Sequence, residues 1–245
     1  MGTAALVPDR HAGWVRPLAS AVLPGSGQLI AGKDRGALYL VTEVFLGARF
    51  LAKQREGQRQ ADEFRSLALL VARRKFAPAA RDTSFGYFEE MASFIESGDF
   101  DTDPGPAFVP PRNEFSFNGH IWRLARETFF QKPDSFPNPD AEEYQRALEF
   151  YRNRAVGPNF LWSWRGAALE HDLFRQSIRA SDRAFQAATQ HLGAMLANHL
   201  LSAVDAFVSQ RLAQNGRPVS FHGFLHVPGT GPEGTSLIFI LAAPF

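Results

Sequence analysis

The chain has no cysteine. That absence removes disulfides, thiolate zinc sites and a cysteine nucleophile together, while leaving the compartment open. Net charge is almost absent too: 26 Lys and Arg stand against 25 Asp and Glu, a formal +1. There is no basic field and no acidic tail, so nucleic acid is not an expected partner. The seven histidines show neither H-E-x-x-H nor any other ligand spacing, and no metal or cofactor is expected. No sustained apolar run precedes Arg16. Ala19-Ser20-Ala21 is small enough to mimic a cleavage site, but a signal peptide is not expected. What remains is a 245-residue chain rich in Phe, long enough for one large domain or two small ones. Its mean hydropathy of −0.19 makes any membrane-embedded part a minority.

That minority is concentrated between Pro17 and Ala52. An apolar run is broken at Leu23-Pro24-Gly25, turns at Lys33-Asp34-Arg35, and resumes. Pro17 to Ala31 is shorter than the roughly 20 residues of a straight span, and Pro24, Gly25 and Gly27 loosen it, so a kinked or re-entrant segment is expected. Gly36 to Ala52 would rise roughly 25 Å as a helix, close to the hydrocarbon thickness. Gly36, Tyr39, Glu43, Gly47 and Gln54 share one face, where another helix can approach closely and meet Glu43. The alternative is a soluble amphipathic helix whose Glu43 faces water.

Past Ala52 the helix continues as a stalk, with Phe64, Leu67, Leu70 and Val71 at helical spacing and Arg73-Arg74-Lys75 as a solvated end. Further helices are expected over 82–97, stopped by Gly98, over 118–130, and from an Asp140 cap with Glu143 to Ala155. Pro-rich loops, Gly98–Pro111 and Lys132–Pro139, separate them. The piece from Tyr144 to Pro158 is like one helix of a tetratricopeptide repeat, but no second copy follows at about 34 residues.

No proline interrupts Gly166 to Asn215, which reads as one long helix with an apolar second half. On it His191, Asn198, Ser202, Asp205 and Ser209 form a polar stripe within about 60° of arc, opposite Leu196, Leu200, Val204 and Phe207. The tail, Val219–Val227 and Ser236–Ala242 around a Gly-rich turn, signals a β-hairpin. The expected fold is mainly α. An N-terminal apolar helical hairpin packs on a long C-terminal helix, with a helical middle region and a small C-terminal β-hairpin. The segments are 13–75, 76–165, 166–216 and 217–245.

Chemical motifs fail on inspection. Gly27 to Lys33 follows the phosphate-loop pattern, but Asp34 replaces the Mg²⁺-binding hydroxyl and would repel phosphate. Asp99, Asp101 and Asp103 open a calcium-type loop that lacks its Gly and its bidentate Glu. His199, Ser202 and Asp205 lie on one helix and fan out rather than converge as a triad. Trp162 and Trp164 suit a membrane interface, a stacked ligand or a local aromatic core.

Leu23-Pro24-Gly25-Ser26-Gly27-Gln28, then Gly32-Lys33 and Gly36-Ala37, resembles the L-P-G-x-G-Q hairpin of an uncharacterised bacterial membrane-protein family, a domain of unknown function. Asp205-Ala206-Phe207-Val208 through Leu212 is similar to its distal D-A-[FY]-V-x-x-x-L signature. Phe174-Arg175 to Asp182 is similar to the basic run that precedes it. Ile30 stands where a Tyr is usual, and the middle region is an extension. The resemblance implies an integral membrane protein with no known enzymatic activity. Hairpin-motif positions are then Leu23, Pro24, Gly25, Gly27, Gln28, Gly32 and Gly36, and the polar-stripe positions are Glu43, His191, Asn198, Ser202 and Asp205. No catalytic residue is singled out. Expected partners are the lipid bilayer and a protein bound through the middle region. Competing readings are a membrane enzyme or transport component using the stripe, and a soluble helical binding module. Arg10, Arg16, Lys53, Arg55 and Arg59 against Lys33 and Arg35 favour a cytoplasmic N-terminus and middle region in a bacterial inner membrane. Packing polar face on polar face is expected to bring Glu43 to Asn198 or His191 and Asp205 to a helix end.

Overall fold

The computed structural model describes residues 14–76, 84–103, 105–134 and 137–214, and the expected β-hairpin tail lies outside them. The protein is mainly α. Among the described residues seven α-helices run in order: α1 (Val15–Val22), α2 (Ser26–Ile30), α3 (Arg35–Leu67), α4 (Phe85–Ser93), α5 (Phe117–Phe129), α6 (Glu142–Arg154) and α7 (Ala168–Gln214). The chain forms two compact units that cut across the segments read from the sequence. Unit 1 is residues 1–51 with 189–245, and unit 2 is residues 52–188. Helices α3 and α7 each contribute one part to each unit.

In unit 1 the second half of α7 packs against the N-terminal region. The apolar run from Pro17 is broken at Leu23-Pro24-Gly25, as its sequence leads one to expect, into two short helices. At Gly25 the backbone turns through φ +88°, and a Cβ there would lie 1.9 Å from the Gly36 carbonyl oxygen. Only glycines at both positions let the α1–α2 turn lie against the start of α3. Among the described residues only α7 is long and apolar enough to cross a membrane.

Unit 2 is built on the opposite plan. Phe64, at 1% exposure, meets Phe88 and Phe174 edge-on, with ring centroids 5.1 and 6.0 Å apart. Trp162 and Trp164 are buried, and their indole N–H groups donate to the carbonyls of Phe94 and Met91. The aromatic-core reading of that pair therefore holds. Helices α5 and α6 pack through Ile121, Trp122 and Ala125 against Ala147, Leu148 and Tyr151. Asn118 exchanges two hydrogen bonds with the Val156 backbone and fixes where α6 ends relative to α5. Glu96 and Ser163 form an isolated antiparallel bridge.

Three local expectations change. Helix α6 has no side-chain cap, because Ala141, which has no side-chain acceptor, holds the N-cap position and leaves Asp140 one residue outside it. Helix α4 stops at Ser93, since the following residues extend to pair with 162–164, and Gly98 (φ +71°) serves the next turn instead. Arg73 is not solvated. A π-helical turn over Ala68–Ala72 swings it inward, fully buried, between the Tyr87 and Phe160 rings, and it donates to the Asn159 carbonyl at 3.3 Å. Burial pushes the Tyr87 hydroxyl up to about 12, with the Arg73 charge opposing.

Candidate functional site

Unit 1 is apolar outside and polar inside. Leu18, Val22, Val41, Val44, Leu196 and Leu200 are all more than 60% exposed. Ser20, Gln28, Asn198, Ser202 and Ser209 are buried. Buried polar groups need partners, and here they find one another along a seam between α7 and the N-terminal helices.

At one end of the seam Gln28 uses both ends of its amide. Its Nε2 donates to the Ser202 carbonyl and to Asp205 Oδ2, each at 2.9 Å, and its Oε1 accepts from Ser20 Oγ at 2.8 Å. The Gly25 N–H donates to Ser202 Oγ at 2.6 Å, and the Gly27 N–H to Ser20 Oγ at 2.9 Å. Arg35, the first residue of α3, pairs with Asp205 at 3.1 Å and donates to Ser209 Oγ. Asp205 thus lies beside the start of α3. The run that mimics a phosphate loop is in fact α2 and its exit turn, with Gln28 directed into the protein.

Further along, Asn198 Nδ2 donates to the Tyr39 carbonyl and to Glu43 Oε2, both at 3.0 Å. His199 bridges two helices, with Nε2 3.0 Å from Glu43 Oε1 and Nδ1 2.7 Å from the Ala21 carbonyl of α1. The histidine beside Glu43 is therefore His199, whereas the stripe residue His191 is half-exposed elsewhere on α7. Of the motif positions, Pro24, Gly25, Gly27, Gln28 and Gly36 are buried in the seam, Leu23 is exposed, and Gly32 has φ +69° with nothing near a Cβ. Ser20, Arg35 and His199 join the site although none of them belongs to the hairpin motif or the polar stripe, and the sequence offers His199 only as a triad member.

Unit 2 carries a separate open cleft of about 500 Å³, lined by Ala92, Ile95, His171, Asp172, Arg175 and Arg179 among others. His171 stacks on Trp164 and its Nε2 lies 3.2 Å from the Met91 carbonyl. Burial holds its pKa below the usual imidazole range, against the opposing pull of backbone carbonyls. No group of three or more metal-ligating side chains occurs among the described residues. The acidic loop is organised by Asp101, whose Oδ1 accepts from the backbone of Asp103 and Val109. No family model, no curated protein and no solved structure matches this chain.

Proposed function

We propose that this chain is a bacterial integral membrane protein and a non-enzymatic scaffold or assembly partner, with unit 1 in the bilayer and unit 2 presenting a helical, water-facing surface to a protein partner. The observation that carries the reading is the inverted build of unit 1. A water-soluble unit of this size does not leave Leu18, Val22, Val41, Val44, Leu196 and Leu200 outside while burying Gln28, Asn198, Ser202 and Asp205. In lipid that distribution is the favourable one, because side-chain dipoles and charges turn inward and bond across helices. The likeness of Leu23 to Gln28 and of Asp205 to Leu212 to an uncharacterised membrane family points the same way. Unit 2, with its aromatic core and charged exterior, is built for water.

The test is extraction. The full chain should remain with membranes after an alkaline wash and leave them only in detergent. Release as a monodisperse protein without detergent would refute the reading. For orientation, the flanking Arg and Lys residues support a cytoplasmic unit 2. A Ser84→Cys variant should then resist an impermeant thiol reagent in intact cells, and labelling from outside would reverse the assignment. A second reading, a transport or enzymatic component, draws on four ionisable groups held inside the apolar unit: Arg35, Glu43, His199 and Asp205. Loss of function on changing them, with insertion and folding intact, would favour it.

A further inference from the structure

His199 is held at both ring nitrogens, and its two partners differ in kind. At Nδ1 stands the Ala21 carbonyl, which can only accept. Ala21 lies in the last turn of α1, where carbonyls have no partner within the helix. Nδ1 must therefore carry a proton. At Nε2 stands Glu43 Oε1, at 3.0 Å. Between these two atoms there must be one further proton, on nitrogen as an imidazolium facing a carboxylate, or on oxygen as a carboxylic acid donating to a neutral ring. Both forms have the same proton count and no net charge. Asn198 Nδ2 donates to Glu43 Oε2 in either case. Remove that one proton and the Nε2 lone pair faces a carboxylate at hydrogen-bond distance, so the contact becomes repulsive.

We propose that Glu43 and His199 form a proton-binding site that clamps α3 and α1 together onto α7 while it holds one shared proton, and loosens the hold on α3 at Glu43 when that proton leaves, with the Arg35–Asp205 pair and the Asn198–Tyr39 bond still joining α3 to α7. The proton passes from the Nε2–Oε1 contact to hydroxide, giving water and a pair with one negative charge. The Nδ1–Ala21 bond survives, so His199 stays with α1 and the Glu43 side of the clamp opens. Among the described residues Glu43 is the one titratable group facing the imidazole. Helix α1 offers it a backbone carbonyl. On α7, His191 lies roughly 12 Å of helix rise before it and Asp205 roughly 9 Å after it, and Asp205 is engaged by Arg35 and Gln28. On α3, Tyr39 enters the cluster through its carbonyl, and Arg35 faces Asp205.

The test reads both the proton and the clamp, on the full chain in detergent micelles. Nitrogen-15 spectra of labelled histidine, assigned by the loss of one signal in His199→Asn, report which ring nitrogens are protonated. With no native cysteine, spin labels at the exposed positions Val44 and Leu196 report the α3–α7 distance. As pH is raised from about 6 to about 10, His199 should go from doubly protonated, or from the Nδ1–H tautomer bonded to an acid, to Nδ1–H alone. The distance distribution should broaden over the same range. Glu43→Gln should behave oppositely to a broken clamp. Its amide N–H can donate to a neutral Nε2 and its carbonyl can accept from Asn198, so the distance should stay narrow throughout. A ring with a bare Nδ1, a His199 that keeps both protons to the top of the range, or a wild-type distance that ignores the loss of the proton each overturns the proposal. Retention in alkaline-washed membranes does not enter any of these readouts, so the scaffold reading stands or falls separately.

Discussion

Replacing Gly25 by Ala tests the construction of the hairpin, because Gly32 provides an internal control. Both residues have a left-handed backbone, at φ +88° and +69°. An alanine at either position costs about 1–2 kcal/mol for that conformation alone. At Gly32 nothing lies within 4 Å of the added methyl, so the cost ends there. At Gly25 the methyl would sit 1.9 Å from the Gly36 carbonyl oxygen, and the backbone must open by an ångström or more. The Gly25–Ser202 bond cannot survive that movement, and the Gln28 bonds to Ser202 and Asp205 stretch with it. Interhelical hydrogen bonds in membranes average about 0.6 kcal/mol, so three add about 2 kcal/mol. Gly25→Ala is thus expected to cost about 3–4 kcal/mol and Gly32→Ala about 1–2 kcal/mol. Fluorine NMR of fluorotryptophan-labelled protein in a denaturing-detergent titration separates the units. Trp14 lies against Phe207 in unit 1, the rings tilted by 31° with centroids 5.7 Å apart, and the other three tryptophans lie in unit 2. The Trp14 signal should shift midpoint strongly in Gly25→Ala and modestly in Gly32→Ala, with the unit 2 signals unmoved. Equal effects of the two substitutions would mean that the Gly25–Gly36 approach does not exist.

Phe64→Ala should destabilise unit 2 by about 3–5 kcal/mol, read from its tryptophan signals in urea, because three rings lose their common neighbour. His171 has a folded pKa below its ordinary 6.5, so the unfolded chain binds the extra proton. Unit 2 should therefore lose stability as pH falls below about 6.5 and on through the folded value, and His171→Asn should flatten that part of the melting-temperature profile. Limited proteolysis should nick one of the Pro-rich loops, 98–111 or 132–139, before any helix; first cleavage within 192–208 would contradict the helical assignment there. Cysteines at Glu43 and Asn198 should cross-link readily, and cysteines at Leu40 and Leu200 should not, as oxidation followed by electrophoresis would show.

The polar seam was partly legible because a helix repeats about every 3.6 residues. That period alone puts Asn198, Ser202, Asp205 and Ser209 on one face of α7, and Gly36, Tyr39 and Glu43 on one face of α3. It does not supply the register between the helices. Asp205 stands opposite Arg35 and Asn198 opposite Glu43. His191 is seven residues from Asn198, on the same face but roughly 10 Å along the axis from Glu43. His199 sits about 100° round from Asn198, off the stripe. It enters the seam only because α1 ends nearby, with an Ala21 carbonyl that has no partner inside its own helix, which no single-helix projection contains. Arg73 escaped for a similar reason: a π turn rotated it out of the position an unbroken α-helix would assign.

The composition of unit 1 has a consequence for how the protein is made. The seam joins residues about 155 to 178 positions apart, so its two halves leave the ribosome at different times. At about 5–20 residues per second, synthesis of the intervening segment lasts on the order of ten seconds. Throughout that interval unit 2 is assembling from one continuous stretch, while Gln28, Glu43 and the free end of α1 wait without their α7 partners. If unit 1 enters a bilayer as proposed, a nascent hairpin in that state needs an insertase groove or a chaperone to cover its polar face, or it will accept the same stripe from a neighbouring copy. Crowded expression should accordingly yield exchanged dimers in which each hairpin is closed by the other chain's α7.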